Sequence, residues 1–431
     1  MNYLYVDNFR GFRDSLIPIK QVNFLVGENS TGKSSILSLI KLLLQPQFYY
    51  SFSFDDKDID LGSYSDIASK NSDQKSFTIG YVIKIGEKGW VGMFFSFTER
   101  EGYPKLTDCF CTGQSYDLAL CFNDNSVKYY FRDATLVNDP IKVKENWNNW
   151  SKSQVPKRQY SEFKTEYKID FDFRIPLPYV IQQIELRSKK KSETLYSHLL
   201  FRFVELTWFA PIRTTPKKTY DDYKPNFDPS GSHTPYVIKS LLGSDAAEGF
   251  RLFISKFGKL SGLFDAVSIS KFAVKDKDKD VDSVLPFSIN IEFGNLKFNI
   301  KNVGYGISQI LPLIVEIYQG KKRCWYAIQQ PEIHLHPKAQ SAMGDLIFGH
   351  ANNDQKTFLI ETHSDYTIDR FRQRLGKQKH TIDSQILFFS RKNGYNTVTP
   401  IEIEQNGAIS VVQPEDYREF FIRESQSLLE I

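Results

Sequence analysis

Long apolar runs are missing from this 431-residue chain. No stretch approaches the ~20 residues that a bilayer-spanning helix needs, so no membrane partner is expected. Cysteine is scarce: Cys109, Cys111, Cys121 and Cys324 are the whole complement, and none forms a C-x-x-C pair. That argues against a zinc ribbon or a disulfide framework and fits reduced core thiols of a cytoplasmic protein. Neither sign of charge dominates. The 55 Lys and Arg against 51 Asp and Glu leave +4, too little at this size to argue for a nucleic-acid partner by itself. A sustained heptad repeat is also missing, which excludes long coiled-coil arms. The first residues, Met1 to Asp7, read as a strand rather than as an apolar or Arg-rich leader.

What the chain does have is length for two or three lobes, an aromatic content of 15% that leans towards sheet, and one complete phosphate-binding loop. Gly27-Glu28-Asn29-Ser30-Thr31-Gly32-Lys33-Ser34 is a full G-x-x-x-x-G-K-[ST] pattern. The apolar run Val22–Val26 ahead of it reads as a buried strand, and Ser35 to Leu44 reads as a buried helix closed by Pro46. Strand, glycine loop and helix in that order are the context such a loop requires. Glycines let successive backbone N–H groups curl around phosphates while the helix N-terminus adds partial positive charge. Gly27, Asn29, Ser30, Thr31, Gly32, Lys33, Ser34 and Ser35 are therefore the candidate nucleotide contacts. Lys33 is expected on the β- and γ-phosphates and the Ser34 hydroxyl on Mg²⁺. Arg10 and Arg13, in a turn between strands at Tyr3–Val6 and Ser15–Ile19, are either near this nucleotide or solvated.

From about Gln47 the character changes. Ser76–Ile85, Trp90–Phe97, Asp117–Phe122, Ser126–Arg132 and Thr165–Phe173 read as strands of a large, mostly antiparallel insertion. Trp147, Trp150, Lys152, Lys157, Arg158 and Tyr160 mix aromatics with positive charge. Such a mixture binds nucleic acid or a protein partner, or is a polar connector with tucked aromatics. Arg187 with Lys189–Lys191 and the alternating Lys275–Asp280 run read as solvated segments. Phe201 to Ile212 is apolar and is expected to return to the main sheet, and Phe287–Phe293 with Leu296–Ile300 forms a hairpin around Gly294-Asn295.

Three further segments carry chemistry. Gly304, Gly306, Ser308 and Gln309 open an apolar helix running to Tyr318, a second anion-binding helix start. Cys324–Ile328 is a buried strand ending in Gln329-Gln330-Pro331-Glu332-Ile333-His334-Leu335-His336-Pro337. Thr357–Ile360 is another, ending in Glu361-Thr362-His363-Ser364. Open α/β sheets place their chemistry at C-terminal strand ends, so these ends and the glycine loop are expected to form one composite site. Placed on a helix, His334 and His336 would diverge and make no metal pair.

Together these four motifs resemble ABC-type ATPases, and more narrowly the bacterial AAA15/AAA_21-like and OLD-family ATPases, relatives of SMC and Rad50 heads. The resemblance covers roughly residues 1–45 and 200–431. It implies an α/β P-loop ATPase head built from both chain ends (1–46 and 201–431) around a β-rich insertion (47–200). It further implies ATP and Mg²⁺ as cofactors and a head-to-head dimer of two copies sandwiching ATP. Gly304, Gly306, Ser308 and Gln309 would be the signature facing the other copy's ATP. His363 would be the switch histidine, and Leu335-His336 would sit in a dimer-facing loop. The end near Ile431, after a strand at Thr397–Ile403 and a helix over Pro414–Leu429, leaves no room for the nuclease that OLD-family proteins carry. By analogy the chain would be the switch subunit of an anti-phage system with a separately encoded effector such as a nuclease. A hydrolysis-deficient scaffold and a repair ATPase gripping duplex DNA are the alternatives.

One position departs from the family. Gln329, followed by Gln330, stands where an acid usually ends the strand and holds Mg²⁺. A neutral amide keeps shape and hydrogen bonds but cannot act as a base. The catalytic set is then Gln329, Gln330, Glu332 and His363, with Ser34 and Gln329 at the metal. Position 329 is expected to impair hydrolysis as an engineered or natural trap, unless Glu332 takes over.

Overall fold

The computed structural model describes the chain except residues 88, 114–115, 124–125, 135, 153–160, 164–175, 189–203, 212–214, 222–225, 273–285, 378–380, 411–416 and 418–431. The segments read above at Thr165–Phe173, Lys157 to Tyr160, Lys189–Lys191 and Lys275–Asp280 lie outside the described residues, as does the Pro414–Leu429 helix apart from Tyr417.

The chain opens with β1 (Tyr3–Asp7), β2 (Ser15–Pro18), β3 (Val22–Gly27) and α1 (Lys33–Leu43). Two one-turn helices, α2 (Phe48–Ser51) and α3 (Tyr64–Ile67), flank a small hairpin of β4 (Asp55–Asp56) and β5 (Ile59–Asp60). An antiparallel meander follows: β6 (Ser76–Ile85), β7 (Gly89–Arg100), β8 (Tyr103–Cys111), β9 (Tyr116–Phe122) and β10 (Val127–Asp133). After it come α4 (Pro140–Lys152), β11 (Ser161–Phe163) and α5 (Leu177–Ser188). The C-terminal half begins with β12 (Leu206–Phe209), α6 (Thr234–Leu242) and α7 (Ala247–Ser261), then β13 (Ala266–Lys271), β14 (Phe287–Phe293) and β15 (Leu296–Asn299). It ends with α8 (Tyr305–Gln319), β16 (Trp325–Gln329), α9 (Pro337–Asp354), β17 (Thr357–Glu361), α10 (Asp365–Lys377), β18 (Ser384–Lys392) and β19 (Tyr395–Ile403).

The central sheet has the order β12-β16-β17-β3-β18-β19, parallel except for the last pair. All six residues of β3 are buried, as a parallel strand covered on both faces demands. The alternation of side chains decides what each face meets. Leu25, Leu359 and Leu387 share a core with α1, whereas Phe24, Val26, Ile360 and Phe388 pack with α8, α9 and α10. The strand order is not the chain order: β17 lies between β16 and β3. That permutation decides which side chains meet at the site.

The second large sheet is antiparallel, in the order β11-β10-β9-β8-β7-β6-β1-β2. β1 pairs with β2 on one side and with β6 on the other, Tyr3 opposite Val82. The meander of 76–133 is thus continuous with the two strands that precede the glycine loop. Its inner face packs with α1 through Phe77, Phe95 and Phe97. Its outer face carries α4: Trp147 stacks on Phe94 with centroids 5.5 Å apart and planes at 6°, and Trp150 stacks on Phe110 at 5.3 Å and 16°. Both indoles are buried, so these two aromatics are tucked against the sheet.

Candidate nucleotide site

The glycine loop occupies the turn from β3 into α1, and two of its glycines are conformationally required. Gly27 has φ 139° and a Cβ there would lie 2.0 Å from the Phe389 carbonyl oxygen; Gly32 has φ 95° and its Cβ would lie 2.5 Å from the Phe12 ring. Both φ values are positive, the region open to glycine and costly for other residues. Thr31 Oγ1 donates to the Glu28 carbonyl at 2.7 Å, closing the loop. Lys33 Nζ folds back to donate to the Gly27 and Glu28 carbonyls at 2.8 and 2.6 Å. Burial pulls the Lys33 pKa down while the Glu361 and Glu28 carboxylates pull it up. Beside the loop lies a cleft of about 490 Å³ lined by Asn29, Ser30, Gly32, Lys33, Ser34, Ser35, Gln329, Gln330 and Glu361, with Arg10, Pro211, Arg391 and Asn396.

Glu361 is the acid of this cleft. The Ser34 hydroxyl donates to its two carboxylate oxygens at 3.0 and 2.8 Å, and the Gln329 amide Nε2 donates to Oε2 at 3.3 Å. The register pairs Gln329 with Glu361 and Glu361 with Leu25, so these side chains stand side by side at adjacent strand ends. Gln330 turns left-handed with φ 43°, and its N–H donates to the Glu361 carbonyl at 2.8 Å. A hydroxyl, a carboxylate and an amide at the mouth of a phosphate loop are oxygen-rich donors of the kind Mg²⁺ takes.

Glu332 lies beside the cleft, hydrogen-bonded to the two residues that follow Glu361. Its Oε2 accepts from Thr362 Oγ1 at 2.9 Å and its Oε1 from the His363 backbone N–H at 2.6 Å, which ties the end of β17 to the turn after β16. Burial raises its pKa above the ordinary carboxylate range, opposed mainly by the His363 N–H. His363 itself is exposed. Its pKa is lowered by desolvation and then by the Lys33 charge, with Glu361 opposing. The segment His334–His336 is a loop, so the helical argument against a metal pair does not apply to it. His334 has φ 63° and meets Tyr305 edge-on at 5.1 Å, and His336 is the N-cap of α9.

The Gly304–Gln309 segment forms the start of α8 and does not line the cleft beside Lys33. Gly306 packs closely on the loop after β16, where a Cβ would lie 2.5 Å from the His334 carbonyl oxygen. Ser308 Oγ donates to the Tyr305 carbonyl at 2.7 Å. Gln309 is buried, and among the described residues its Nε2 has no hydrogen-bond partner.

Four contributors went unread in the sequence. Glu361 belonged to a recognised run but was not given a role. Arg391 and Asn396, from the β18–β19 hairpin, brace the loop: Arg391 Nη2 donates to the Ser30 carbonyl at 2.7 Å, and Nε donates to Asn396 Oδ1 at 3.1 Å. Asn396 Nδ2 in turn donates to the Arg10 carbonyl at 2.9 Å. Pro211 also lines the cleft. The two early arginines divide. Arg10 lines the cleft and donates to Ser35 Oγ at 3.1 Å, whereas Arg13 lies over the Tyr395 ring at 5.6 Å.

The chain is similar over nearly its whole length to solved SMC heads. One is an SMC head bound to the C-winged helix domain of ScpA (14% identity, 94% of this chain and 98% of that one, TM-score 0.41). Another is the SMC head domain from Thermotoga maritima (14%, 94% and 100%, TM-score 0.40). A third, from Pyrococcus furiosus, carries an extended coiled coil and is bound to the C-terminal domain of ScpA (12%, 99% and 99%, TM-score 0.37). At these scores the likenesses carry no argument of their own. No curated protein matches the chain. A family model does, that of the AAA ATPase domain, over residues 1–368. The chain belongs to the AAA ATPase domain family.

Proposed function

We propose that this ATPase is a nucleotide-driven switch: two copies close head to head around ATP and Mg²⁺, and hydrolysis reopens them. The observation that carries this reading is a separation. The cleft holds Lys33, Ser34 and Glu361, while Gly304–Gln309, a helix start of the anion-binding kind, lies outside it. A second copy supplies the way to bring such a helix start to the phosphates. His363, near enough to feel the Lys33 charge, would sense the γ-phosphate from the other side. The resemblance to the bacterial AAA15 and OLD-family group favours anti-phage defence as the setting, with a separately encoded effector such as a nuclease reading the closed state.

Mixing two inactive variants tests the composite site. Lys33→Ala removes the phosphate lysine and Ser308→Arg blocks the signature, so each alone is expected to lack turnover. A mixture pairs an intact loop with an intact signature and regains ATPase activity, with ATP-dependent dimers by light scattering. A mixture that stays inactive, together with a chain that remains monomeric in ATP, would refute the reading.

A further inference from the structure

We infer that Glu361, not the residue that ends β16, supplies the carboxylate of the Mg²⁺ site, and that Gln329 is its neutral partner rather than a vacated acid. This rests on the nucleotide reading above and names the metal-binding chemistry of that same cleft.

The strand order makes the assignment physical. β17 lies between β16 and β3, and β3 runs into the glycine loop. A side chain at the end of β17 is therefore one strand nearer the loop, about 4.8 Å, than one at the end of β16. Glu361 uses that position, with both oxygens within 3.0 Å of the Ser34 hydroxyl. A carboxylate buried this deeply is costly unless it is compensated. The compensation present is the Ser34 hydroxyl, the Gln329 amide and the nearby Lys33 charge. A divalent cation held between Ser34, Glu361 and phosphate oxygens would complete it.

Gln329 follows from the same geometry. Its amide donates to Glu361 Oε2 at 3.3 Å. Without a cation between them, a glutamate there would set two carboxylates against each other at that spacing, and like charges so close do not both ionise readily. The amide permits the acid next door. Glu332 is placed less favourably for the metal: its two oxygens accept from the Thr362–His363 turn, and it does not line the cleft.

The test separates metal from nucleotide. Fluorescent ADP is titrated into the full chain in EDTA and in Mg²⁺, and Mn²⁺ binding to the ADP complex is followed by electron paramagnetic resonance. Glu361→Gln is expected to weaken Mn²⁺ binding to the ADP complex and to erase the gain in ADP affinity that Mg²⁺ gives over EDTA, by about tenfold or more. A second variant, Gln329→Leu, keeps Glu361 and decides independently of that one's folding. Mn²⁺ binding persists in it if Glu361 is the metal acid and is lost if the residue that ends β16 is the ligand. Wild-type Mn²⁺ affinity in Glu361→Gln, or lost Mn²⁺ binding in Gln329→Leu, would overturn the assignment while leaving nucleotide binding intact. Loss of ADP binding by the wild type in both EDTA and Mg²⁺ would instead overturn the nucleotide reading, and the assignment with it.

Discussion

The Ser34 hydroxyl and the Glu361 carboxylate, 327 residues apart in sequence, meet at 2.8 and 3.0 Å at the mouth of the glycine loop. Their contact bears on whether this ATPase can turn over. A trap at position 329 requires that the acid be gone. Here an acid, Glu361, stands beside the Gln329 amide, which donates to it. Gln329→Glu is therefore expected to leave ATP turnover no higher than in the wild type. Steady-state phosphate release from the two proteins checks this, and a faster Gln329→Glu protein would restore the trap.

Lys33 spends its charge on two loop carbonyls, Gly27 and Glu28. Phosphate oxygens would compete for the same ammonium, and hydrogen bonds to a charged group contribute about 1.5–3 kcal/mol. Lys33→Ala should weaken ATP binding by roughly ten- to a hundredfold, since about 1.4 kcal/mol is a factor of ten. Equilibrium titration with a fluorescent ATP analogue reads this directly. Affinity equal to the wild type would deny the lysine its phosphate role.

Gly27 is tighter still. Its φ of 139° and the 2.0 Å approach to the Phe389 carbonyl leave no room for a methyl group. Because β18 pairs with β3 through that contact, Phe389 opposite Gly27, an alanine must push two central strands apart. Gly27→Ala is expected to destabilise the fold by at least about 2 kcal/mol. Lower urea and thermal midpoints would report it, and unchanged midpoints would count against the close approach.

What could be read in the sequence was local. The glycine loop announced itself because its strand, turn and helix are contiguous, and the β14–β15 hairpin because Gly294-Asn295 sits between two alternating runs. Glu361 did not, since its importance comes from β17 lying between β16 and β3, and no pattern in β16 or β17 states that order. Arg391 is one basic residue in an ordinary strand until the hairpin folds over Ser30. The meander of 76–133 read as an insertion because its length interrupts the motifs. Its continuity with β1 is a pairing across more than 70 residues, which periodicity does not encode. Trp147 and Trp150 suited two readings until Phe94 and Phe110 were found beneath them.

Arg391 braces the loop from outside, through the Ser30 carbonyl and Asn396. The side chain is exposed, so its removal leaves no cavity. Arg391→Ala should weaken nucleotide binding only a few-fold, in line with the about 0.5–1.5 kcal/mol of a typical hydrogen bond, with unchanged thermal stability. Binding and melting curves on one preparation separate the two effects. A large fall in melting temperature would mean that the arginine holds the fold rather than the loop.

Trp147 tests whether α4 belongs to the outer face of the antiparallel sheet. Its indole is 4% exposed and lies flat on Phe94, with Phe110 and Trp150 beside it. Truncating a buried aromatic of this kind costs about 3–5 kcal/mol, because the cavity only partly collapses. The loss falls on α4 and the strands beneath it, on the face of the sheet away from α1. Trp147→Ala should therefore speed amide hydrogen exchange across Pro140–Lys152 and in β7. Exchange in β3 and α1, and ATP affinity, should stay near wild type. If exchange rises equally in β3, the two faces are energetically one unit, and the meander is then a structural part of the ATPase core.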